Sequence, residues 1–479
     1  MIESQKINPN KAAQNTLGAA RQQADELHRQ GRHREAAAVY QKYLLLNPAD
    51  AGAWLNLGVS LRTMKQFVAS AAHYHRSLAI RPDDGGAYSN LGNVLRDMDR
   101  IEEAIAAHEK AVSLDPENSS YRYNYAMSLR DARRFKEALK QLEICLESCT
   151  EPKYSRQWAK LEFDRSLVLL YLGQFKKGWE AYESRWYTGD LPDRLECFPC
   201  WTGEALTNRK LLLFAEQGFG DSILAARFLP WLREKKARNG HITLVCRQPL
   251  HRLFDALPVD EMMTIETLNQ QLQKGEADYD YQGSMMSLPG LYGASLRKLP
   301  PPAHLTIPAQ AREKFSWLKR SFQGKLKVGV VWSGSITFAA NSKRAVSLER
   351  FIDLAMIPGV QLFSLQKGPK EHDLASHCAL PLIVDLGSQV NDFAETAAAI
   401  DALDVVVMTD SSVAHLTASL NKPVINLLNY KPYWLYFPEG ERTPWYPSMR
   451  CIWQTTSGEW DDVFKRVKVI LGSWLENAD

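Results

Sequence analysis

Polar and apolar positions along the chain keep two different rhythms, which change over near residue 200. Up to about residue 188, small and apolar residues return at helical spacing in paired blocks, broken by short polar stretches such as "RQGRH" and "NPAD". That pattern predicts antiparallel helix pairs. From residue 203 the rhythm becomes strand, turn, amphipathic helix. Leu211–Phe214 and Ile242–Cys246 open two such units, and "KVGVVWSGS", "VQLFSLQKG", "ALDVVVMTDSS" and "PVINLLN" supply further strands. Strands alternating with helices imply parallel sheets covered on both faces. The prolines of "LPPPAHL" read as a crossover, so two Rossmann-like halves facing across a cleft are expected.

The helical part repeats itself. A step of 34 residues carries Trp54 to Tyr88 to Arg122, Leu57 to Leu91 to Tyr125, Gly58 to Gly92 to Ala126, and Pro48 to Pro82 to Pro116. An earlier copy includes His33, and a looser fifth copy, "DRSLVLLYLGQFKKGWEAYESRW", is displaced by six residues. The pattern resembles the tetratricopeptide repeat, in which small residues let two helices approach and proline ends the second. About five repeats are expected over 1–188, followed by an amino-terminal half over 189–324 and a carboxyl-terminal half over 325–479. Asn56, Asn90 and Asn124 recur at one phase of the first helix. A ladder of amides offers donors and acceptors to an extended acceptor peptide. The other reading is bonding within the solenoid.

Composition narrows the class. The 479 residues are 45% hydrophobic and 24% charged with a formal charge of +3, which gives no footprint for nucleic acid or an anionic membrane. The start, "MIESQKINPN", lacks an apolar signal region, and no apolar run reaches membrane-spanning length, so a cytoplasmic protein is expected. Seven scattered cysteines argue against a disulfide framework. Cys197 and Cys200 have ligand spacing, but a zinc site needs four convergent ligands. Buried, inert thiols are the preferred reading, and no metal is expected.

The unusual residues cluster where strands end: Glu216 to Asp221, Ser333 to Arg344, and Asp410 to His415. Open α/β sheets bind ligands at the carboxyl ends of their strands. In "MTDSSVAHLTASLNKPV" the strand Val405–Met408 runs straight into a helix. The exposed amides and dipole of a helix start bind anions, and Ser411 or Ser412 can cap the helix or bond a phosphate. His415 lies one turn further on.

Four stretches, "AEQGFGDSILAARFLPWL", "VGVVWSGS" with "KRAVSLERF", "FAETAAAIDALDVVVMTDSSVAHLTASLNKPV" and "TPWYPSMRCIWQ", resemble bacterial tetratricopeptide-repeat proteins fused to a heptosyltransferase-like glycosyltransferase domain. The resemblance implies a GT-B architecture after the α-solenoid. It also implies metal-independent, inverting transfer from a nucleotide-sugar donor, without a cofactor. Position by position it makes Asp221 the general base; Glu216, five residues earlier in the chain, is the competing base. It places Ser333, Gly334, Lys343, Arg344, Asp410, Ser411, Ser412, Val413 and His415 around the donor. Two stretches depart from the family. Phe338, Ala340 and Asn341 stand where it usually has histidine, asparagine and aspartate. "PYWLYF" replaces an Asp-Trp-Arg-Trp run, putting Tyr433 and Leu435 at its charged positions. Trp332 or Phe338 is a candidate to stack on the donor base, with a core role equally open for Trp332. The expected acceptor is a protein hydroxyl gripped by the repeats, on flagellin or another exported surface protein. The alternative is a protein-binding scaffold with a vestigial cleft.

Overall fold

The computed structural model describes residues 9–191, 194–335, 341–431, 433–437 and 440–476. The chain divides into two units, Met1–Lys153 and Tyr154–Asp479.

The first unit is a run of helix pairs: α1 (Pro9–Arg29) with α2 (His33–Leu46), α3 (Ala51–Thr63) with α4 (Phe67–Ile80), α5 (Gly85–Asp97) with α6 (Ile101–Leu114), and α7 (Ser119–Asp131) with α8 (Phe135–Glu147). The 34-residue step reappears in every device that shapes a pair. Asp50, Asp84 and Asn118 cap the first helix, each side chain accepting backbone N–H groups that have no partner inside the helix. Lys65, Asp99 and Arg133 close the intervening turns at φ of 59°, 59° and 62°, the place Gly31 takes in the first pair. Arg62 to Asp97 at 2.7 Å and Arg96 to Asp131 at 3.7 Å tie one pair to the next.

Close approach within a pair depends on glycine. A Cβ at Gly58 would lie 2.6 Å from the Tyr74 ring, and one at Gly92 would lie 2.5 Å from His108. Tyr74 and His108 are both fully buried and have nowhere to retreat. We therefore expect Gly92→Ala to destabilise the protein by about 2 kcal/mol, the scale of overpacking a filled core. Urea unfolding measures it, and an unchanged midpoint would show that His108 can move aside. His108 itself is held neutral, its pKa pushed down to about 3 chiefly by burial.

The amide ladder is partly consumed inside the solenoid. The Asn56 amide donates to Asp25 and Tyr40 at 3.1 and 3.2 Å, and that of Asn124 donates to Ser89 at 3.0 Å.

The expected fifth repeat forms a helix pair, α9 (Arg156–Tyr171) and α10 (Phe175–Tyr182), but it falls in the second unit. The break between the two compact units, at 153/154, thus falls before the fifth pair. The cause is packing: Trp179 is buried, its ring meets Trp434 edge-on at 5.3 Å, and its indole N–H donates to the Ala294 carbonyl at 3.2 Å. A large aromatic surface is thereby covered by the α/β part of the chain.

Among the described residues two sheets follow. The first orders its strands β3-β2-β1-β4, all parallel, from β1 (Lys210–Phe214), β2 (His241–Val245), β3 (Glu261–Met263) and β4 (Tyr281–Ser284). The second has the order β10-β11-β9-β8-β5-β6-β7. Its strands are β5 (Leu326–Val331), β6 (Val360–Ser364), β7 (Ile383–Asp385), β8 (Val405–Thr409), β9 (Val424–Leu428), β10 (Arg442–Thr443) and β11 (Tyr446–Trp453), parallel except for β10 against β11. β8 and β9 are buried at every position, as continuous apolar runs require when both faces are covered. Both expected Rossmann-like halves are present.

Candidate active site

Each sheet winds outward from a central strand and then resumes on that strand's other side. The break lies between β1 and β4 in the first half and between β5 and β8 in the second. Connections leave in opposite directions there, so a crevice opens at the strand ends. The chain after β1 carries Glu216 and Asp221, and that after β4 carries Ser287. The chains after β5 and β8 carry Ser333 to Arg344 and Asp410 to Ser412.

Asp221 lies in the first turn of the Phe219–Ala225 helix, and its Oδ2 accepts the Gly218 N–H at 3.1 Å. Its Oδ1 accepts the Tyr433 hydroxyl at 3.4 Å, a donor from the opposite half. Protein surrounds this half-buried carboxyl, and burial is the largest cause that pushes its pKa up to about 6, with Glu216 and Asp410 adding like charge. A carboxylate so poised takes protons well near neutral pH.

Glu216 is placed differently. Its side chain is 2% exposed, paired with equally buried Arg185 at 3.2 Å and accepting a hydrogen bond from Ser284. Arg185 also donates to Ser287 at 2.9 Å and to Glu183 at 2.7 Å. The competing base therefore braces the β1 and β4 ends against the segment after α10.

In the second half the loops after β5 and β8 meet. Gln366 receives the Trp332 and Ser333 amides at 3.1 and 3.0 Å, and Asn341 receives the Gly334 amide at 3.0 Å while donating to the Ser333 hydroxyl at 3.1 Å. Asn341, one of the departures, thus shapes the turn. Phe338 and Ala340 lie outside the described residues. Arg344 pairs with Asp410 at 3.1 Å, while Lys343 is exposed and its carbonyl accepts from Asn429 at 3.3 Å. Ser411 caps the Ser412–Ser419 helix, its hydroxyl accepting the Val413 N–H at a long 3.4 Å. The cap occupies the corner where the sequence places the anion-binding helix start.

His415, expected beside the donor, is 5% exposed and held between Tyr436 and Tyr446. Burial is the main cause that lowers its pKa to about 4, so the ring is neutral and has one donor and one acceptor. The Tyr436 hydroxyl donates to Asp410 at 2.7 Å and lies 3.4 Å from Nε2, while Tyr446 lies 3.1 Å from Nδ1. With the Tyr436 proton committed to Asp410, Nε2 carries the hydrogen and Nδ1 accepts from Tyr446. A Cβ on Gly220 would lie 2.7 Å from the imidazole, so glycine lets the Asp221 helix touch the Ser412–Ser419 helix.

Trp332 is 1% exposed and donates to Asp373 at 3.0 Å, which assigns it to the core. The reading of the cysteines as buried is corrected in part: Cys145, Cys246 and Cys451 are buried, whereas Cys197 and Cys378 are exposed on turns. Among the described residues no cluster of three metal-binding side chains occurs, and no helix is long and apolar enough to cross a membrane.

Comparison with known proteins finds similarity in both parts of the chain. Residues 21–85 and 86–118 match family models of the tetratricopeptide repeat, and residues 372–459 match that of glycosyltransferase family 9 (heptosyltransferase). The chain joins tetratricopeptide repeats to a glycosyltransferase family 9-like domain. Protein FlbA of Caulobacter vibrioides is 26% identical over 357 residues, covering 70% of this chain and 59% of that protein. The chain thus spans less than two thirds of that relative's length. A family 9 glycosyl transferase structure from Veillonella parvula is 16% identical with a TM-score of 0.41, over 56% of this chain and 93% of that one. MamA from Desulfovibrio magneticus is 14% identical with a TM-score of 0.32, over 35% of this chain and 91% of that one. The stretch matched to family 9 contains Asp410, Tyr433 and Tyr436 of the family 9-like domain but not Asp221.

Sequence reasoning missed Arg185, Gln366, Tyr436 and Tyr446, and took Tyr433 only as a lost charge. A tyrosine in an aromatic run reads as core. The available signal was the spacing of Tyr433 and Tyr436, three apart, which puts two hydroxyls on one face of a turn.

Proposed function

We propose that this protein is a metal-independent, inverting glycosyltransferase that moves a sugar from a nucleotide-sugar donor to a protein hydroxyl. One observation carries the reading: a carboxylate poised near pH 6 on the first half is linked by a single tyrosine-bearing turn to the helix start and Asp410–Arg344 pair of the second. Asp221 takes the acceptor hydroxyl's proton as the oxygen attacks the anomeric carbon. The bond from that carbon to the phosphate oxygen breaks on the opposite face, and the nucleotide leaves with the electron pair. Its charge is met by Arg344, Lys343 and the amides at Ser411 to Val413. Asp410, an anion itself, acts by holding Arg344.

The repeats are proposed to carry the acceptor polypeptide, with Asn56, Asn90 and Asn124 as contacts. Flagellin or another exported surface protein modified in the cytoplasm is the proposed acceptor. Intact-mass analysis of flagellin co-expressed with the protein tests this. A sugar-sized mass increase is expected with wild type, a reduced one with the three asparagines changed to Ala, and none with Asp221→Asn. No increase in any sample sinks the acceptor assignment. The scaffold reading draws on one observation, Leu435 fully buried where a charge was expected.

A further inference from the structure

Tyr433 and Tyr436 come from one short segment, with Tyr436 in the Trp434–Tyr436 turn, yet they serve opposite walls. The Tyr433 hydroxyl reaches Asp221 at 3.4 Å, 212 residues away in sequence. The Tyr436 hydroxyl reaches Asp410 at 2.7 Å and stands 3.4 Å from His415. The turn is anchored by Trp434, 1% exposed and edge-on to Trp179 and Trp445 at 5.3 and 5.4 Å, and by fully buried Leu435. Two hydroxyls on so rigid a support cannot move independently. We propose that Tyr433 and Tyr436 are paired positioning residues: Tyr433 aims the carboxylate of Asp221, and Tyr436 aims Asp410 and through it Arg344. The turn thereby sets acceptor activation and donor binding in register.

The inference deepens the reading of Asp221 as base and rests on it for its catalytic meaning. Both phenols are protonated donors at working pH, because burial first and the neighbouring carboxylates second push their pKa values well above the ordinary range. The groups facing Asp221 are Glu216 from the loop after β1, Asp410 from the loop after β8, Tyr182 from α10, Tyr446 from β11 and Tyr433 itself. A hydrogen bond to the ionised form lowers a carboxyl pKa, so removing it raises that pKa.

The test is carboxyl-carbon NMR titration of Asp221 in the full chain, the signal assigned by its loss in Asp221→Asn. Calorimetry with a nucleoside diphosphate runs alongside. Tyr433→Phe is expected to raise the Asp221 midpoint by about half a pH unit, the effect of one long hydrogen bond to a charge, and to leave nucleotide affinity unchanged. Tyr436→Phe is expected to weaken the nucleotide about threefold or more and to leave that midpoint in place. An unmoved midpoint in Tyr433→Phe, or the two variants behaving alike, overturns the inference. Transfer by Asp221→Asn at the wild-type rate overturns the base reading instead, and the titration stands apart from it.

Discussion

Asp221→Asn is expected to lower sugar transfer about a thousandfold while leaving nucleotide affinity unchanged. The amide keeps the shape of the carboxyl: its oxygen can accept the Gly218 N–H while its NH2 donates to the Tyr433 oxygen, so the site stays assembled while its proton acceptor is gone. In the wild type, a base with a pKa of about 6 makes kcat/KM fall as pH drops below that value, and the substitution removes this limb. Stability should move the other way. The folded-state pKa is raised above the unfolded value of about 3.9, so the stability contribution of this group is complete below that pH. It is lost as pH rises through about 6. Asparagine escapes the loss, and a gain of about 1 to 2 kcal/mol at pH 8 is expected after allowing for partial exposure. Wild-type turnover in Asp221→Asn would return the role to Glu216 and require the Arg185 pair to open.

Arg344→Ala is expected to weaken nucleotide binding about 10- to 100-fold, the cost of one charge-assisted contact to phosphate. Asp410→Ala should weaken it less and through a different route. The cation remains but loses the 3.1 Å partner that aims it, and Tyr436 loses its acceptor. Asp410 also repels a diphosphate, so part of the loss is offset. Isothermal calorimetry with a panel of nucleotides reads both variants. Wild type that binds none of them, or binding indifferent to Arg344, would favour the scaffold reading over the enzyme.

The ranking of those variants could not come from motif alone. "DSSVAHL" identified the helix start and the acid before it, because an apolar strand followed by small polar residues leaves a local trace. It suggested that the acid and the histidine face the ligand. The fold instead turns Asp410 toward Arg344 and encloses His415 between Tyr436 and Tyr446. Glu216 and Asp221 lie five residues apart and look alike in sequence. Arg185, 31 residues upstream, and Ser284, 68 downstream, separate their roles.

The helix pairs of the first unit were written in the sequence by themselves, since equivalent caps and turns recur every 34 residues, with a small residue (Gly58, Gly92, Ala126) at the close approach, when the same geometry recurs. The buried strands β1, β2, β5, β6, β8 and β9 were legible for a similar reason: a strand covered on both faces is apolar along most of its length. The tertiary structure decided the rest. β3, β4 and β7 are three or four residues long and mostly polar or mixed, so they become strands only by pairing with neighbours. The end of the solenoid, and the tyrosine turn that spans from Asp410 to Asp221, depend on which distant surfaces meet. Local periodicity records the contacts a residue makes with its own helix or strand. Contacts across two hundred residues leave no period behind.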